Sequence, residues 1–249
     1  MHKRYPVFNL FCFILCTNLS LSAHAAQWRD LATGIAYQEL TTNRLAPWSH
    51  IHAFRIDLKS NQLGVVLAKQ LHLKYASVDE LAQHSDALIA INGGFFDKKF
   101  HSLGLRINNY RQLNPLKHIS WWGVLYTKNN KASLSSFRRY RYNRNVNFAI
   151  QSGPRLLING RIPPLKPGSA ERSAIGIDKN NHVLLLVTDN TSLTTTELAQ
   201  LMRDAPLHCI EALNLDGGSS SQLYAKIGSF HLNVHGFSDV SDAIIVQPS

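Results

Sequence analysis

A short apolar run leads directly into a glycine-rich polar turn in the segment Cys209-Ile210-Glu211-Ala212-Leu213-Asn214-Leu215-Asp216-Gly217-Gly218-Ser219-Ser220-Ser221. The apolar residues predict a buried strand, and the turn marks where that strand ends. The same arrangement occurs upstream, where residues 87–91 precede Asn92-Gly93-Gly94-Phe95-Phe96-Asp97. Paired glycines let backbone N–H groups face a ligand, and the neighbouring Asn, Asp and Ser side chains add hydrogen-bonding groups. The two turns therefore predict a binding site at the ends of two buried strands.

Most other segments of the chain predict strands as well. They are short, rich in Ile, Val, Leu or aromatic residues, and bounded by Gly, Asn, Asp or Pro. Two polar turns, Lys179-Asn180-Asn181 and Lys128-Asn129-Asn130-Lys131, predict antiparallel hairpins. The predicted strands are residues 35–40, 51–58, 63–68, 87–91, 119–127, 146–151, 173–177, 183–188, 210–215, 222–226 and 243–247.

Only two segments have clear signals for the start of a helix. Ser77-Val78-Asp79-Glu80 and Thr194-Thr195-Thr196-Glu197 both match a capping box, and apolar residues at helical spacing follow each of them. No repeat or low-complexity linker divides the chain, and the proline-rich stretch 161–168 predicts a loop inside a domain. The sequence therefore predicts a single α+β domain with a mainly antiparallel or mixed β-sheet and few helices.

The N-terminal segment has the pattern of a signal peptide. A basic start, His2-Lys3-Arg4, precedes an apolar stretch over residues 7–21 and the cleavage signal Ala23-His24-Ala25. We therefore expect residues 1–25 to be removed, residues 26–249 to form the mature domain, and the protein to be periplasmic or secreted. A retained signal anchor is the alternative, although the apolar run is short for a bilayer. After cleavage we expect no stable membrane anchor.

Cysteine usage is consistent with an exported protein that has no disulfide. Cleavage would remove Cys12 and Cys16 and leave Cys209 as the only thiol. Stability must then come from a hydrophobic core, which an apolar content of 45% is enough to build. Because Cys209 lies in an apolar run, we expect it to be buried as a small hydrophobic residue rather than to act as a nucleophile.

The chain is basic, and its charge favours an anionic partner. It has 26 Lys and Arg residues against 16 Asp and Glu residues, a formal net charge of +10. Anionic glycans, phosphorylated sugars or envelope surfaces are the expected partners; nucleic acid is not, since the chain shows no basic helix or aromatic ladder. The densest basic stretch is Arg138-Arg139-Tyr140-Arg141-Tyr142-Asn143-Arg144. It predicts either a solvated edge strand that discourages aggregation or a surface that binds a sugar-phosphate polymer.

The carboxylate of Asp216 is the main candidate for chemistry. Beside two glycines it is suited to bind a cation, to orient a sugar hydroxyl, or to act as a base or nucleophile. In a plain Asx turn it would only satisfy backbone N–H groups. Asn92 ends the other predicted strand, where it would either contact a substrate or only cap the turn. Phe95 and Phe96 are expected to be core anchors, the alternative being that one of them forms an apolar wall of the site.

Two further polar positions lie near strand ends. Gln151-Ser152-Gly153-Pro154-Arg155 forms a third polar turn, and Arg172 stands at the entrance of the predicted strand 173–177. An arginine in such a position is either half-exposed and structural or free to bind a phosphate with its planar fork.

Residues that could bind a metal alternate in two places, His50 with His52 and His231 with Asn233 and His235. Each set would share one face of a strand and bind a transition metal, but histidines that are merely hydrogen-bonded explain the pattern equally well. The sequence has no nucleophilic-serine elbow, zinc-protease motif or phosphate-binding loop. The sequence therefore predicts no definite cofactor, and a divalent cation is the one candidate that it leaves.

Four motifs in this order resemble those of the phosphodiester glycosidase family: Asn92-Gly93-Gly94-Phe95-Phe96, Ser152-Gly153-Pro154, Arg172-Ser173-Ala174-Ile175-Gly176 and Asn214-Leu215-Asp216-Gly217-Gly218-Ser219-Ser220. The resemblance covers roughly residues 63–246 and implies an α+β catalytic domain that cleaves the bond between an anomeric carbon and a phosphodiester oxygen. Motif matching places Asn92, Gly93, Ser152, Gly153, Arg172, Asp216, Gly217 and Gly218 in the pocket, and Gly94, Ser173, Asn214 and Ser219 complete the predicted substrate-binding set. Two positions depart from the family pattern, since many relatives carry Thr in place of Ser173 and a third glycine in place of Ser219.

The implied chemistry suits this set of residues. A phosphate monoester, with a second pKa of about 6, leaves readily without full protonation, so the site mainly needs to hold an anion. Arg172 and the N–H groups of the turns would do so, while Asp216 activates water or stabilises the oxocarbenium-like carbon. We expect Asp189 to supply a second carboxylate.

The predicted function is that of an exported hydrolase acting on a sugar-1-phosphodiester in an envelope or secreted glycan. A non-catalytic protein that binds anionic glycans or assists polysaccharide assembly is the main alternative. A transglycosylase, which passes the sugar to an acceptor hydroxyl instead of water, is the third.

Overall fold

The computed structural model describes residues 1–2, 27–41 and 45–249. Nearly all of the predicted signal peptide, with Cys12 and Cys16, and also Ala26 lie outside the described residues, so cleavage and export stay predictions. Among the described residues, no helix is long and apolar enough to cross a membrane.

The described residues form many short strands and two α-helices. The helices are α1 (Val78–His84) and α2 (Thr195–Arg203). The strands are β1 (Arg29–Ala32), β2 (Ile35–Glu39), β3 (His50–Ile56), β4 (Asn61–Leu67), β5 (Ile89–Asn92), β6 (Arg106–Asn108), β7 (Arg111–Asn114), β8 (Gly123–Lys128), β9 (Lys131–Ser136), β10 (Val146–Ser152), β11 (Arg155–Leu157), β12 (Ser169–Ala170), β13 (Ser173–Asp178), β14 (Val183–Asp189), β15 (Leu193–Thr194), β16 (Cys209–Asn214), β17 (Leu223–Ile227), β18 (Phe230–Val234) and β19 (Asp242–Pro248).

These strands form three larger sheets and one small one. The first sheet has seven strands in the order β1-β2-β3-β14-β13-β16-β11, the second has five in the order β18-β17-β5-β19-β4, and the third has five in the order β7-β6-β10-β8-β9. Strands β12 and β15 pair separately. Neighbouring strands are antiparallel in every described pair, including both predicted hairpins, β8-β9 and β13-β14. The α+β class with a mainly antiparallel sheet is therefore confirmed.

One hydrophobic core is shared by the three larger sheets. Phe54 of the first sheet, Ile91 of the second and Phe148 of the third all belong to it and are fully buried. Removal of these side chains from water is the main force that holds the sheets together. The alternation of side chains along the strands leaves a second apolar face on both the first and the second sheet.

The two helices cover these outer faces. α2 packs Leu198 and Met202 against the first sheet, and α1 packs Leu81 against the second. Both helices begin where the capping boxes predict: Ser77 Oγ accepts a hydrogen bond from the backbone of the first turn of α1, and Thr194 Oγ1 does the same for α2. The result is a layered arrangement in which the ends of central strands from both sheets meet at one side of the shared core.

Three details differ from or extend the prediction. Arg138 to Arg144 is not a strand: it forms the turn and loop between β9 and β10, where Tyr140 is buried against Tyr126 and Arg141 Nη1 donates to the carbonyl of Arg138. Residues 119–122 form a turn before β8 instead of its first part. The expected burial of Cys209 is confirmed, and that burial raises the pKa of its thiol.

Candidate active site

The two glycine-rich turns meet directly, although they follow strands of different sheets. The first follows β5 of the second sheet and the second follows β16 of the first sheet. The backbone N–H of Asp216 donates to the carbonyl of Gly93 at 3.1 Å, and Asn92 Nδ2 donates to the carbonyl of Asp216 at 2.8 Å. The predicted meeting of the two turns is therefore present in the structure.

Asn92 connects the turns from inside the protein. Its side chain is fully buried, and its Nδ2 donates to the carbonyls of Asp216 and Gly93. Its Oδ1 accepts from Ser173 Oγ at 2.6 Å and from the backbone N–H of Gln222 at 3.1 Å. These contacts occupy the whole hydrogen-bonding capacity of the amide. Both side chains hold the turns in place and neither lines the cleft, which favours the alternative that Asn92 caps its turn; the expected substrate contact of Asn92 and Ser173 stays a prediction.

Asp216 lies in a cleft beside these turns, and its side chain is largely buried. Its Oδ1 accepts a hydrogen bond from the backbone N–H of Gly217 at 3.0 Å. Burial raises the pKa of its carboxyl; the negative charge of Asp242 also raises it, whereas hydrogen bonds from Gly217 and Ser220 and the positive charge of Arg106 lower it. A carboxyl with a raised pKa in a cleft is a candidate for proton transfer near neutral pH.

Arg172 lines the same cleft from the position just before β13, an interior strand of the first sheet. Its Nε donates to the carbonyl of Leu193 at 2.8 Å, and its Nη2 donates to the carbonyl of Gly168 at 2.5 Å. Burial lowers the pKa of the guanidinium. Within residues 27–41 and 45–249, no carboxylate forms an ion pair with it. Its charge and its Nη1 group are therefore available for an anion.

The cleft between these residues has a volume of about 610 Å³. This size is within the usual range for small-molecule sites. Phe95 also lines it, so the alternative of an apolar wall fits this residue, whereas Phe96 stacks on Phe100 at 5.1 Å. The residues predicted from the sequence that line the cleft are Gly153, Arg172, Asn214, Asp216, Gly217 and Gly218.

Gly93 and Gly94 do not line the cleft but permit a buried ion pair behind it. A Cβ on Gly93 would overlap Asp242 Oδ1, and a Cβ on Gly94 would come within 2.8 Å of Arg106 Nη2. The absence of a side chain at these two positions therefore makes room for the interior, while their expected substrate-binding role stays a prediction. Gly218 differs, since its φ of +62° is a left-handed conformation that favours glycine and opens the turn toward the cleft.

Arg106 and Asp242 are the functional candidates that the sequence did not reveal. Both side chains are 0% exposed, and Arg106 Nε lies 3.1 Å from Asp242 Oδ1. Asp242 Oδ2 also accepts from Ser102 and Ser241, and Arg106 Nη1 donates to several backbone carbonyls. The available signal was a charged residue within each of two apolar runs, since charged side chains are almost never fully buried unless paired.

Three predicted residues lie away from the cleft. Asp189 ends β14, where its Oδ1 accepts from Asn190 Nδ2. Burial, and after it the charge of Asp189, raises the pKa of the Glu171 carboxyl. Asp189 does not line the cleft that contains Asp216, and this position does not favour the role of second carboxylate expected of it. Ser219 is exposed, with its carbonyl bound by the N–H of Ser238. Ser152 is fully buried and also does not line the cleft.

The histidines do not form a metal centre in the described part of the chain. His50 Nδ1 lies 2.6 Å from Glu39 Oε1, and His52 Nδ1 lies 2.9 Å from the hydroxyl of Tyr37. No group of three His, Cys, Asp or Glu residues among residues 1–2, 27–41 and 45–249 is arranged to hold a metal ion. The hydrogen-bonded alternative therefore describes His50 and His52.

Comparisons with known proteins agree with the arrangement of these motifs. The sequence profile of the family described as phosphodiester glycosidase matches residues 85–247. The protein YigE of Escherichia coli strain K12 is 29% identical over 171 residues, 64% of this chain and 65% of that protein. The chain thus spans less than two thirds of the length of this curated relative.

Two solved structures share the fold. The catalytic domain of zebrafish N-acetylglucosamine-1-phosphodiester alpha-N-acetylglucosaminidase, auto-inhibited by its pro-peptide, superposes with a TM-score of 0.65 at 18% identity over 89% of this chain and 87% of that chain. A hypothetical protein from Synechocystis superposes with a TM-score of 0.64 at 16% identity over 90% of this chain and 64% of that chain. Because the family profile covers more than half of the chain and includes Gly153, Arg172 and Asp216 of the cleft, the chain belongs to the phosphodiester glycosidase family.

Proposed function

We propose that this protein is an exported hydrolase that cleaves the glycosidic bond of a sugar-1-phosphodiester in an envelope or secreted glycan. The observation that carries the proposal is the presence of Asp216 and Arg172 in one cleft, although they lie far apart in sequence. A single carboxylate beside an unpaired guanidinium suits the transfer of a sugar from an anionic leaving group. The family to which the chain belongs supports this type of reaction.

In the proposed reaction, Arg172 holds the phosphate with its fork. The oxygen of a water molecule bonds to the anomeric carbon, and the bond from that carbon to the phosphate oxygen breaks. Asp216 takes one proton from the attacking water, and the phosphomonoester leaves with the bonding electron pair. Because phosphate is a good leaving group, the reaction does not need a strong acid on the leaving side. One carboxylate is thus sufficient for the proton transfer.

Export is the expected context because the N-terminal segment matches a signal peptide. The basic charge of the chain is consistent with an anionic substrate outside the cytoplasm. Both points support the proposed location, which secretion of the full chain followed by N-terminal sequencing would test. A mature N-terminus at Ala26 is the expected result.

Removal of Arg172 tests the proposed role of the cleft in anion binding. We expect Arg172→Ala to lower kcat/KM on a sugar-1-phosphodiester by about ten- to a hundredfold, because hydrogen bonds to charged groups contribute about 1.5–3 kcal/mol. Arg172→Lys should recover part of the loss, since it keeps the charge but not the fork. Release of free reducing sugar measures the reaction.

A matched control is Arg203→Ala, which removes an exposed arginine that pairs with Asp204 at the end of α2. This variant should keep the wild-type kcat/KM. Equal turnover by wild type and Arg172→Ala on a hydrolysed substrate would contradict the role of Arg172. Tight binding of anionic glycans without any product would instead favour the non-catalytic alternative.

A further inference from the structure

We propose that the alcohol half of the phosphodiester is a hydrocarbon chain, so that the substrate is a sugar linked through phosphate to a lipid alcohol. This inference rests on the proposed function and concerns the part of the cleft beyond Arg172 and Asp216. It comes from the apolar residues that line the cleft together with these two charged residues.

Several large apolar side chains line the cleft. Its members, here called the apolar wall, belong to the loop before β12 and to the turns that follow β5, precede β8 and follow β10. Proline side chains have no hydrogen-bonding group, and proline has no backbone N–H to offer. The apolar wall consists of Phe95, Trp121, Pro154, Pro164, Leu165 and Pro167.

The aromatic part of the apolar wall is held by its neighbours. Trp122 is 3% exposed and stacks on Phe95, with ring centroids 5.3 Å apart, and Trp121 meets Trp122 edge-on at 5.8 Å. Gly153 makes room for this group, because a Cβ there would lie 2.7 Å from Trp122 Cδ1. Trp121 itself remains 54% exposed. A large apolar surface is therefore presented to the cleft by a packed support.

Such a surface favours hydrocarbon over a second sugar. Each methylene that it removes from water stabilises the complex, whereas a hydroxyl placed against it loses hydrogen bonds to water without replacement. An aromatic ring can stack on a sugar, but the side chains of Pro154, Leu165 and Pro167 offer no hydrogen-bonding group to the hydroxyls around that sugar. The wall therefore discriminates by chemistry between the two kinds of alcohol.

Two positively charged side chains in the same cleft are consistent with a ligand that joins an anionic group to an apolar chain. Lys166 lies in the loop between Leu165 and Pro167, and it lines the cleft together with Arg172. The cleft thus combines two cationic side chains with the apolar wall. An anionic head joined to a hydrocarbon chain matches this combination.

Binding of alkyl phosphates tests the inference without knowledge of the sugar. Methyl, butyl and octyl phosphate mimic the phosphomonoester product, and titration calorimetry of the full protein with each, below its micelle concentration, gives the dissociation constants. We expect butyl phosphate to bind at least about tenfold more tightly than methyl phosphate, because burial of one methylene is worth up to about fourfold. Glucose 6-phosphate, which carries a sugar in place of the chain, should bind no more tightly than methyl phosphate.

Variants test whether the apolar wall causes the tighter binding of the longer alkyl phosphates. Trp121→Ala and Leu165→Ser should each reduce the difference between butyl and methyl phosphate to less than about threefold, whereas Arg172→Ala should weaken all alkyl phosphates alike. Trp48→Ala, which removes a tryptophan that is also exposed but does not line the cleft, should keep the wild-type difference.

Three results would overturn the inference: no dependence on chain length, tighter binding of glucose 6-phosphate than of butyl phosphate, or no binding of any alkyl phosphate. The outcome is separate from that of the proposed function, since binding requires no turnover. Chain-length dependence without hydrolysis of any sugar-1-phosphodiester would reject the hydrolase and keep the lipid site. Hydrolysis of a sugar-1-phosphodiester without chain-length dependence in binding would keep the hydrolase and reject the lipid site.

Discussion

Asp216→Asn should lower kcat/KM by about 10²- to 10⁴-fold and, at the same time, raise the melting temperature of the protein at neutral pH. The loss follows from removal of the only carboxylate that lines the cleft among the described residues, since general acid–base catalysis contributes about this much. The gain follows because burial raises the pKa of this carboxyl, so its charged form destabilises the folded state. Asparagine keeps an oxygen that accepts from the N–H of Gly217.

The change in stability has a defined pH dependence. A carboxyl whose pKa is higher in the folded than in the unfolded state binds protons more tightly when folded. Its favourable contribution is fully present below the unfolded pKa and is lost as the pH rises through the folded pKa. The melting temperatures of wild type and Asp216→Asn should therefore be closest in acid and diverge toward neutral pH. Scanning calorimetry over this range measures the divergence.

Asp189→Asn tests which of the two carboxylates predicted from the sequence, Asp216 or Asp189, contributes to catalysis. Asp189 lies outside the cleft, so this variant should keep kcat/KM within about twofold of wild type. A large loss in Asp189→Asn, or wild-type activity in Asp216→Asn, would reverse the assignment. Thermal melts of both variants check that a change in activity does not reflect unfolding.

Arg106→Met should reduce the free energy of unfolding by about 3–5 kcal/mol, because it leaves the carboxylate of Asp242 buried without its partner. The double variant Arg106→Met/Asp242→Leu should recover part of this loss, since an apolar pair of similar volume avoids the unpaired charge. Urea unfolding measures both. A double variant no more stable than Arg106→Met would show that the serines and carbonyls around the pair, rather than the lone charge, determine the cost.

The same pair should influence the acid limb of the activity profile. Asp242 raises the pKa of Asp216, so Asp242→Asn removes a negative charge and should lower that pKa. With Asp216 as the base, activity would then persist to lower pH than in wild type. If Asp242→Asn changed the stability of the protein but left its pH–activity profile unchanged, the Arg106–Asp242 pair would have a structural role only.

Local signals predicted most of the fold. The capping boxes at Ser77 and Thr194 identify both helices because their hydrogen bonds involve residues three apart in sequence. Apolar runs identify the central strands. The alternation of Arg and Tyr from Arg138 to Arg144 resembles that of an edge strand, but the segment is a turn and loop. Tyr140 packs there on Tyr126, a contact that the local pattern does not encode.

The site was predictable only in part, for a related reason. Paired glycines indicate where the backbone turns, and the residues of the second turn, Asp216, Gly217 and Gly218, line the cleft. Whether a polar side chain points into that cleft or into the core depends on the partner it finds. Asn92 donates a hydrogen bond to the carbonyl of Asp216, and Gly93 packs against Asp242. Both partners lie far away in the sequence, so no local pattern predicts these contacts.

Strand β19 lies between β4 and β5 and begins with Asp242. The turn that carries Gly93 leaves β5 early in the chain, yet it cannot adopt its packed form until β19 has docked beside it. The first glycine turn, and the cleft beside it, would thus take shape only after the last strand of the chain has been made and has joined the sheet.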